Sequence, residues 1–236
     1  MAIHMFDTKE LVSILQQEAT QTNSYIAALD TYMEMRLLYR SAADEVETKL
    51  NIINRELNYR PAMEHKYAIH TIQSRIKTMP SLVKKLERRQ LDFSKDIIMT
   101  QLFDIAGVRV ICSYVDDIYL VLEALSQQSD VTVVEIKDYI KEPKPNGYRS
   151  LHAIVQIPVF FLQKTEYLNV EIQFRTIAMD YWASLEHTLR YKSHDHGEDV
   201  AKRLGATSQL IEQLEEDMLG IRHTIESNEK KVTSSH

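Results

Sequence analysis

Glycine is scarce in this chain: five in 236 residues, where ordinary usage of about 7% would give roughly three times as many. Few glycines mean few tight turns and much helix. Neither G-x-G-x-x-G nor G-x-x-x-x-G-K-[ST] occurs anywhere, so no Gly-rich loop is available to cradle phosphate with its amides, and any polyphosphate must be held by side chains. Cysteine is nearly absent. Cys112, the single one, excludes an internal disulfide and a paired-thiolate metal site, and its isolation fits a reducing compartment. There is no basic stretch followed by an apolar leader, and no uninterrupted apolar run approaches the ~18 residues of a membrane span; a cytoplasmic protein with no membrane partner is expected. Basic residues are in deficit, 28 against 34 acids for a net charge of −6, which disfavours a general polyanion binder and any obligatory nucleic-acid partner.

What is present is ordinarily globular: 44% hydrophobic and 26% charged residues, in a length that suits one domain with a substantial core. From Leu29 apolar residues recur at spacings of three and four through Tyr32, Tyr39, Ala43, Val46, Leu50, Ile53 and Leu57, the stripe of a long amphipathic helix ending near Pro61. Tyr67 to Lys77 has strand character, and Pro80 suits the first turn of a helix to about Leu91. Strand-like runs follow at Ile105 to Tyr114, Val131 to Tyr139, Leu151 to Pro158 and Leu168 to Thr176, with a helix from about Asp116 to Gln127 between the first two. Helical periodicity returns at Ala178, Tyr181, Trp182, Leu185 and Leu189, and again at Leu204, Thr207, Ile211, Leu214, Met218, Ile221 and Ile225. The expected fold is α/β (α+β): a central mixed sheet of about five strands flanked by helices, with long helices at both termini. One domain is expected over 1–236, with its core at about 65–190 and flanking arms at 7–60 and 198–227. The terminal stripes suit packing on the sheet or on another subunit equally well.

Polar clusters interrupt this pattern at four places. Arg75 to Arg89 holds six basic residues against Glu87 alone. Arg75 and Lys77 share a strand face, and Ser81, Lys85 and Arg88 occupy successive turns of the following helix. This is either a solvated basic face or a polyphosphate grip, in which Arg gives bidentate donors and Lys point charges. In Asp104-Ile105-Ala106-Gly107-Val108-Arg109 a rare glycine stands between an acid and a base. In Val170-Glu171-Ile172-Gln173-Phe174-Arg175, strict alternation puts Glu171, Gln173 and Arg175 on one face. If those two strands are neighbours, Asp104 and Glu171 converge on one Mg²⁺, and a carboxylate there can serve as general base; otherwise they are the polar side of an amphipathic sheet. Lys144-Pro145-Asn146-Gly147-Tyr148-Arg149-Ser150-Leu151-His152 is a turn that delivers an aromatic ring and a His to a strand's opening, or simply a hairpin with a packed Tyr. His194-Asp195-His196 offers only two imidazoles and reads as a solvated turn; Cys112 reads as core.

In order and spacing these segments resemble the synthetase domain of RelA/SpoT-type alarmone enzymes across about residues 65 to 190. The flanking helices, Ala178-Met179-Asp180-Tyr181-Trp182-Ala183 and Glu186-His187 are similar to the stand-alone small alarmone synthetases. The resemblance implies a nucleotidyltransferase-like sheet. It also implies transfer of pyrophosphate from ATP to the 3′-hydroxyl of GDP or GTP with Mg²⁺, giving ppGpp or pppGpp and AMP. By matched position, Arg75 and Arg109 would sandwich adenine, while Lys77, Ser81, Lys85 and Arg88 would grip the ATP phosphates. Asp104 and Glu171 would hold Mg²⁺, with Glu171 also the base. Tyr148 would stack on guanine, and Lys144, His152 and Gln173 would contact the acceptor. Lys137 stands where relatives often carry Arg for a phosphate contact. Asp180 stands where some relatives carry Asn, and its carboxylate would accept from guanine's N1–H and N2–H. The family habit implies a homo-oligomer, a tetramer built through the terminal helices. There is no room here for the hydrolase and regulatory domains of the long family members. Two other classes compete: an RNA-directed nucleotidyltransferase, which the net charge disfavours, and a non-catalytic nucleotide-binding oligomeric regulator, which has no need of two converging carboxylates.

Overall fold

The computed structural model describes residues 8–59, 66–192 and 198–233, with side chains placed over 26–59, 66–189 and 200–228. In chain order the elements are α1 (Thr8–Tyr59), β1 (Ile69–Ile76), α2 (Met79–Arg89), α3 (Lys95–Gln101), β2 (Ala106–Cys112), α4 (Val115–Ser126), β3 (Thr132–Asp138), β4 (Leu151–Phe160), β5 (Thr165–Thr176), α5 (Ile177–Lys192) and α6 (Glu198–Thr233). The strands form one sheet in the order β1-β2-β5-β4-β3. β2 and β5 run parallel; every other neighbouring pair is antiparallel.

Alternation decides which face of this sheet is core. In β4, Leu151, Ala153, Val155, Ile157 and Val159 are buried, while His152, Ile154 and Gln156 are half-buried on the other side. Val108 and Val110 of β2 and Val170, Ile172 and Phe174 of β5 extend the same apolar face. Across it lies α1, whose Tyr39, Ala43, Val46, Leu50, Ile53 and Leu57 are buried as the stripe predicts. Ile118, Val121, Leu122 and Leu125 of α4 close the same core. Because one face is consumed by this packing, the polar residues at alternate positions all emerge on the other.

Differences from the sequence reading are local. The N-terminal arm is one continuous 52-residue helix. α3 was not anticipated; its seven residues start at a Ser94 cap that accepts from the amide of Ile97, and they are too short for periodicity to reveal. β5 begins earlier, because its first residues pair with the end of β4 from Val159↔Glu166 to Phe160↔Thr165. The stripe on α6 has the larger consequence. Leu214, Met218, Ile221 and Ile225 are 46–58% exposed, so within this chain only part of the stripe, Leu204 and Ile211, is half-buried, and the helix meets the domain through these together with Ser208, Glu215 and Arg222.

Candidate active site

Register builds the site. At one level of the sheet the pairing aligns Gln73, Arg109, Gln173, His152 and Lys137 across all five strands. The adjacent polar level aligns Arg75, Gly107, Glu171 and Ile154. Gly107 therefore stands between Arg75 and Glu171, and the Arg75 side chain lies over it, with Nε 3.5 Å from where a Cβ would be. A recess of about 260 Å³ opens here, lined by Gln73, Ser74, Arg75, Gly107, Val108, Arg109 and Gln173. Burial and the neighbouring Arg175 both act to lower the Arg109 pKa.

Beside the recess sits Asp104, in the turn before β2. Lys77 Nζ approaches its Oδ2 at 3.2 Å and Lys85 Nζ its Oδ1 at 2.5 Å. Burial works to raise this carboxyl's pKa, but the two ammonium groups outweigh it and hold it below its usual value. The amide of Lys77 donates to Ile105 O at 2.8 Å, tying the end of β1 to the Asp104 turn. Ser81 lies in the first turn of α2, where its Oγ accepts from Thr78. Arg88 lies exposed in the last turn of that helix. Lys137 pairs with Glu135 at the open edge of the sheet. Among the described residues, Arg88 and Lys137 make no polar contact with the rest of the site.

Glu171 faces a denser set of partners. Gln173 Nε2 donates to its Oε2 at 2.9 Å, and His152 Nδ1 lies 3.4 Å from its Oε1. Burial alone would raise the Glu171 pKa; His152 and Gln173 more than offset this and hold it below the ordinary value, with the charge of Asp104 opposing them weakly. His152 Nε2 is 2.8 Å from the hydroxyl of Tyr148. That hydroxyl also accepts from Arg175 at 3.0 Å, and Arg175 donates to Asp180 at 2.9 Å. The same Oδ1 of Asp180 lies 3.5 Å from Arg109. A continuous polar chain thus runs from the recess, through Asp180, Arg175, Tyr148 and His152, to Glu171. Tyr139 packs edge-on against both Tyr148 and His152, and Lys144 Nζ lies 4.3 Å from the Tyr139 ring centre and 4.8 Å from that of Tyr148. The loop holding Tyr148 is closed by Gly147 at φ +88°, a left-handed conformation that glycine adopts without strain.

Such a surface can hold two anionic ligands side by side with carboxylates between them. Residues 74–196 match the model of the region found in RelA and SpoT proteins. The GTP pyrophosphokinase YwaC of Bacillus subtilis is 40% identical over 208 residues, covering 88% of this chain and 98% of that one. The chain belongs to the RelA/SpoT family. The GTP pyrophosphokinase YjbM of the same organism is 38% identical over 80% of this chain and 87% of its own length. Among solved structures, small alarmone synthetase 1 of Bacillus subtilis bound to its product pppGpp superposes with a TM-score of 0.73 at 36% identity, covering 82% of this chain and 97% of that chain. The mixed five-stranded sheet and the small-synthetase resemblance are thus both established.

Within this RelA/SpoT domain the structure gathers Arg75, Arg109, Lys77, Lys85 and Asp104 at one end of the polar face. Lys144, Tyr148 and His152 gather at the other, with Gln173, Asp180 and Glu171 between the two. His194-Asp195-His196 lies outside the described residues. Sequence reasoning gave Arg175 no role although its alternation with Glu171 and Gln173 signalled it. Tyr139 and Glu215 carried no signal at all. Cys112 is buried and its thiol pKa is pushed far upward by that burial, consistent with core. For Mg²⁺ the donor chemistry fits. Asp104 and Glu171 are hard oxygen donors held ionised, the donor type Mg²⁺ takes.

Proposed function

We propose that this chain synthesises ppGpp and pppGpp by transferring the terminal pyrophosphoryl group of ATP to the 3′-oxygen of GDP or GTP, releasing AMP. The observation that carries this reading is the register Gly107↔Glu171. It sets the carboxylate of Glu171 at the boundary between an arginine-lined recess and an aromatic, imidazole-bearing cluster. ATP takes the first end, its adenine between Arg75 and Arg109 and its phosphates on Lys77, Ser81, Lys85 and Arg88. The guanosine nucleotide takes the second, its base on Tyr148 and its phosphates within reach of Lys137, Lys144, His152 and Gln173. Asp180 Oδ1 is committed to Arg175 and Arg109, so guanine's donors find its other oxygen.

Glu171 accepts the proton of the 3′-hydroxyl. The oxygen bonds to the β-phosphorus as the bond from that phosphorus to the α-phosphate oxygen breaks, and AMP departs with the electron pair. Depressed in pKa, Glu171 is fully ionised at neutral pH but a weak base; positioning and charge neutralisation therefore carry most of the rate enhancement, as in phosphoryl transfer generally. Asp104 and Glu171 would hold Mg²⁺, which supplies charge compensation on the phosphates when bound. The cations around Asp104 supply the rest.

No helix among the described residues is long and apolar enough to cross a membrane, and we place the protein in the cytoplasm. The outward apolar residues of α6, together with Ile26, Leu29, Met33 and Leu37 of α1, all about half exposed or more, support a homotetramer; light scattering giving a monomer at micromolar concentration would remove it. The central reading is tested by incubating the protein with ATP, GDP and Mg²⁺ and resolving the nucleotides by anion-exchange chromatography. AMP and a guanosine tetraphosphate should appear in equal amounts. ADP or free pyrophosphate without the tetraphosphate would refute it.

A further inference from the structure

The RelA/SpoT match ends at residue 196, and α6 begins at Glu198. The face α6 turns to the domain carries Ser208, Glu215 and Arg222, spaced seven apart, beside the half-buried Leu204, Ile211 and Leu219, while Leu214, Met218, Ile221 and Ile225 point away. Apolar contact is non-directional, so it is the hydrogen bonds of the polar residues on this face that decide what the helix holds in place.

Two of the three converge on the acceptor end, whereas Arg222 pairs with Asp116 and Asp117 at the start of α4. Glu215 is nearly buried, with 9% of its side chain exposed, and accepts at Oε2 from Arg149 at 2.7 Å; Glu212 pairs with the same guanidinium at 3.2 Å. Its other oxygen accepts from the hydroxyl of Thr176. Thr176 is the last residue of β5, and its Oγ in turn accepts from the amide of Met179, capping α5 one residue before Asp180. Arg149 adjoins Tyr148. One carboxylate therefore ties the Tyr148 loop to the start of the Asp180 helix. A second bond reinforces it: Ser208 Oγ donates to Gly147 O at 2.6 Å, and a Cβ on Gly147 would lie 2.8 Å from Ser208 Cβ. Only glycine fits where α6 presses on this loop.

We propose that α6 is part of the acceptor-nucleotide site and that Glu215 is its positioning residue, fixing Tyr148 and Asp180 relative to one another without touching substrate. The donor end has no such tie: none of Arg75, Lys77, Lys85 or Asp104 bonds to α6 among the described residues. The proposal rests on the synthetase reading above, and one experiment separates the two. Wild-type turnover of ATP and GDP tests that reading by itself; the ratio of variant to wild-type constants then tests the latch. In Glu215→Ala, KM for GDP is expected to rise about tenfold, the scale of losing charge-assisted hydrogen bonds, with KM for ATP within about twofold of wild type. Glu215→Gln keeps the volume but offers one carbonyl oxygen to two donors. It should show a smaller rise of the same selectivity and fold even if Glu215→Ala does not, as monitored by circular dichroism. Equal rises in both KM values, or an unchanged KM for GDP in both folded variants, would overturn the proposal.

Discussion

The two ends of the polar face solve the same problem, holding a nucleotide without a glycine-rich loop, by different means. At the proposed donor end, long cations reach from β1 and α2 towards one carboxylate, and Arg75 is exposed. At the proposed acceptor end, Arg175 is 8% exposed and bonded to Asp180 and Tyr148, Tyr148 is bonded to His152, and α6 clamps the loop from behind. Flexible point charges suit phosphates, whose oxygens are equivalent and tolerant of approach direction. A planar base and a single reacting hydroxyl require fixed geometry, so the second end is built as a network in which each donor direction is set by its neighbour.

Variants at the junction, then at each end, test this contrast. Glu171→Gln should fold normally and lose synthesis by roughly 10²–10⁴-fold, the ordinary contribution of a positioned general base; near wild-type AMP release would mean the base is elsewhere. Arg175→Met removes the centre of the acceptor network and leaves Asp180 without its nearest cation. Asp180 is 28% exposed and keeps Arg109 at 3.5 Å, so losing the charge-assisted bonds costs about 2 kcal/mol; both the thermal midpoint and GDP affinity should fall, whereas an unaltered midpoint would show the network to be loose. Arg75→Ala should raise KM for ATP by about tenfold through loss of guanidinium stacking while leaving the midpoint and KM for GDP near wild type. If Arg75→Ala proved as destabilising as Arg175→Met, the distinction between a flexible and a rigid end would collapse. Asp180→Ala should weaken acceptor binding and reduce discrimination against adenosine nucleotides; unchanged values of both would leave Asp180 only its tie to Arg175.

The smallest effect concerns pH. Glu171 and Asp104 both have folded-state pKa values below their ordinary 4.5 and 3.8. Each contributes stability that is complete above its unfolded value and is lost as pH falls through the lowered folded one. The acid limb of kcat/KM arising from Glu171 should accordingly lie below pH 4.5. A Glu171 carboxyl found by NMR to titrate above 4.5 in the free protein would contradict the bonds from His152 and Gln173.

Much of this was legible in the residues themselves. Alternation in Val170 to Arg175 gave the face shared by Glu171, Gln173 and Arg175, because strand periodicity is a property of two successive residues. The stripe from Tyr39 to Leu57 gave the covering helix by the same local logic at a period of 3.6. Glycine scarcity gave side-chain phosphate binding, and Gly107 and Gly147 lay within the segments proposed to bind nucleotide, Gly147 being the one where a side chain would collide with α6. None of this contains register. That Gly107 lies opposite Glu171, in a parallel pair joined through α4, β3 and β4, follows only when the apolar faces of β2, β4 and β5 are packed together on α1, and a slip of one residue would have turned Glu171 into the core. Nor could the heptad stripe of α6 tell which side of that helix meets the domain. Periodicity records where apolar residues lie, whereas the docking of α6 was decided by Glu215 finding Arg149 and Thr176, partners brought to it by the sheet from 66 and 39 residues away.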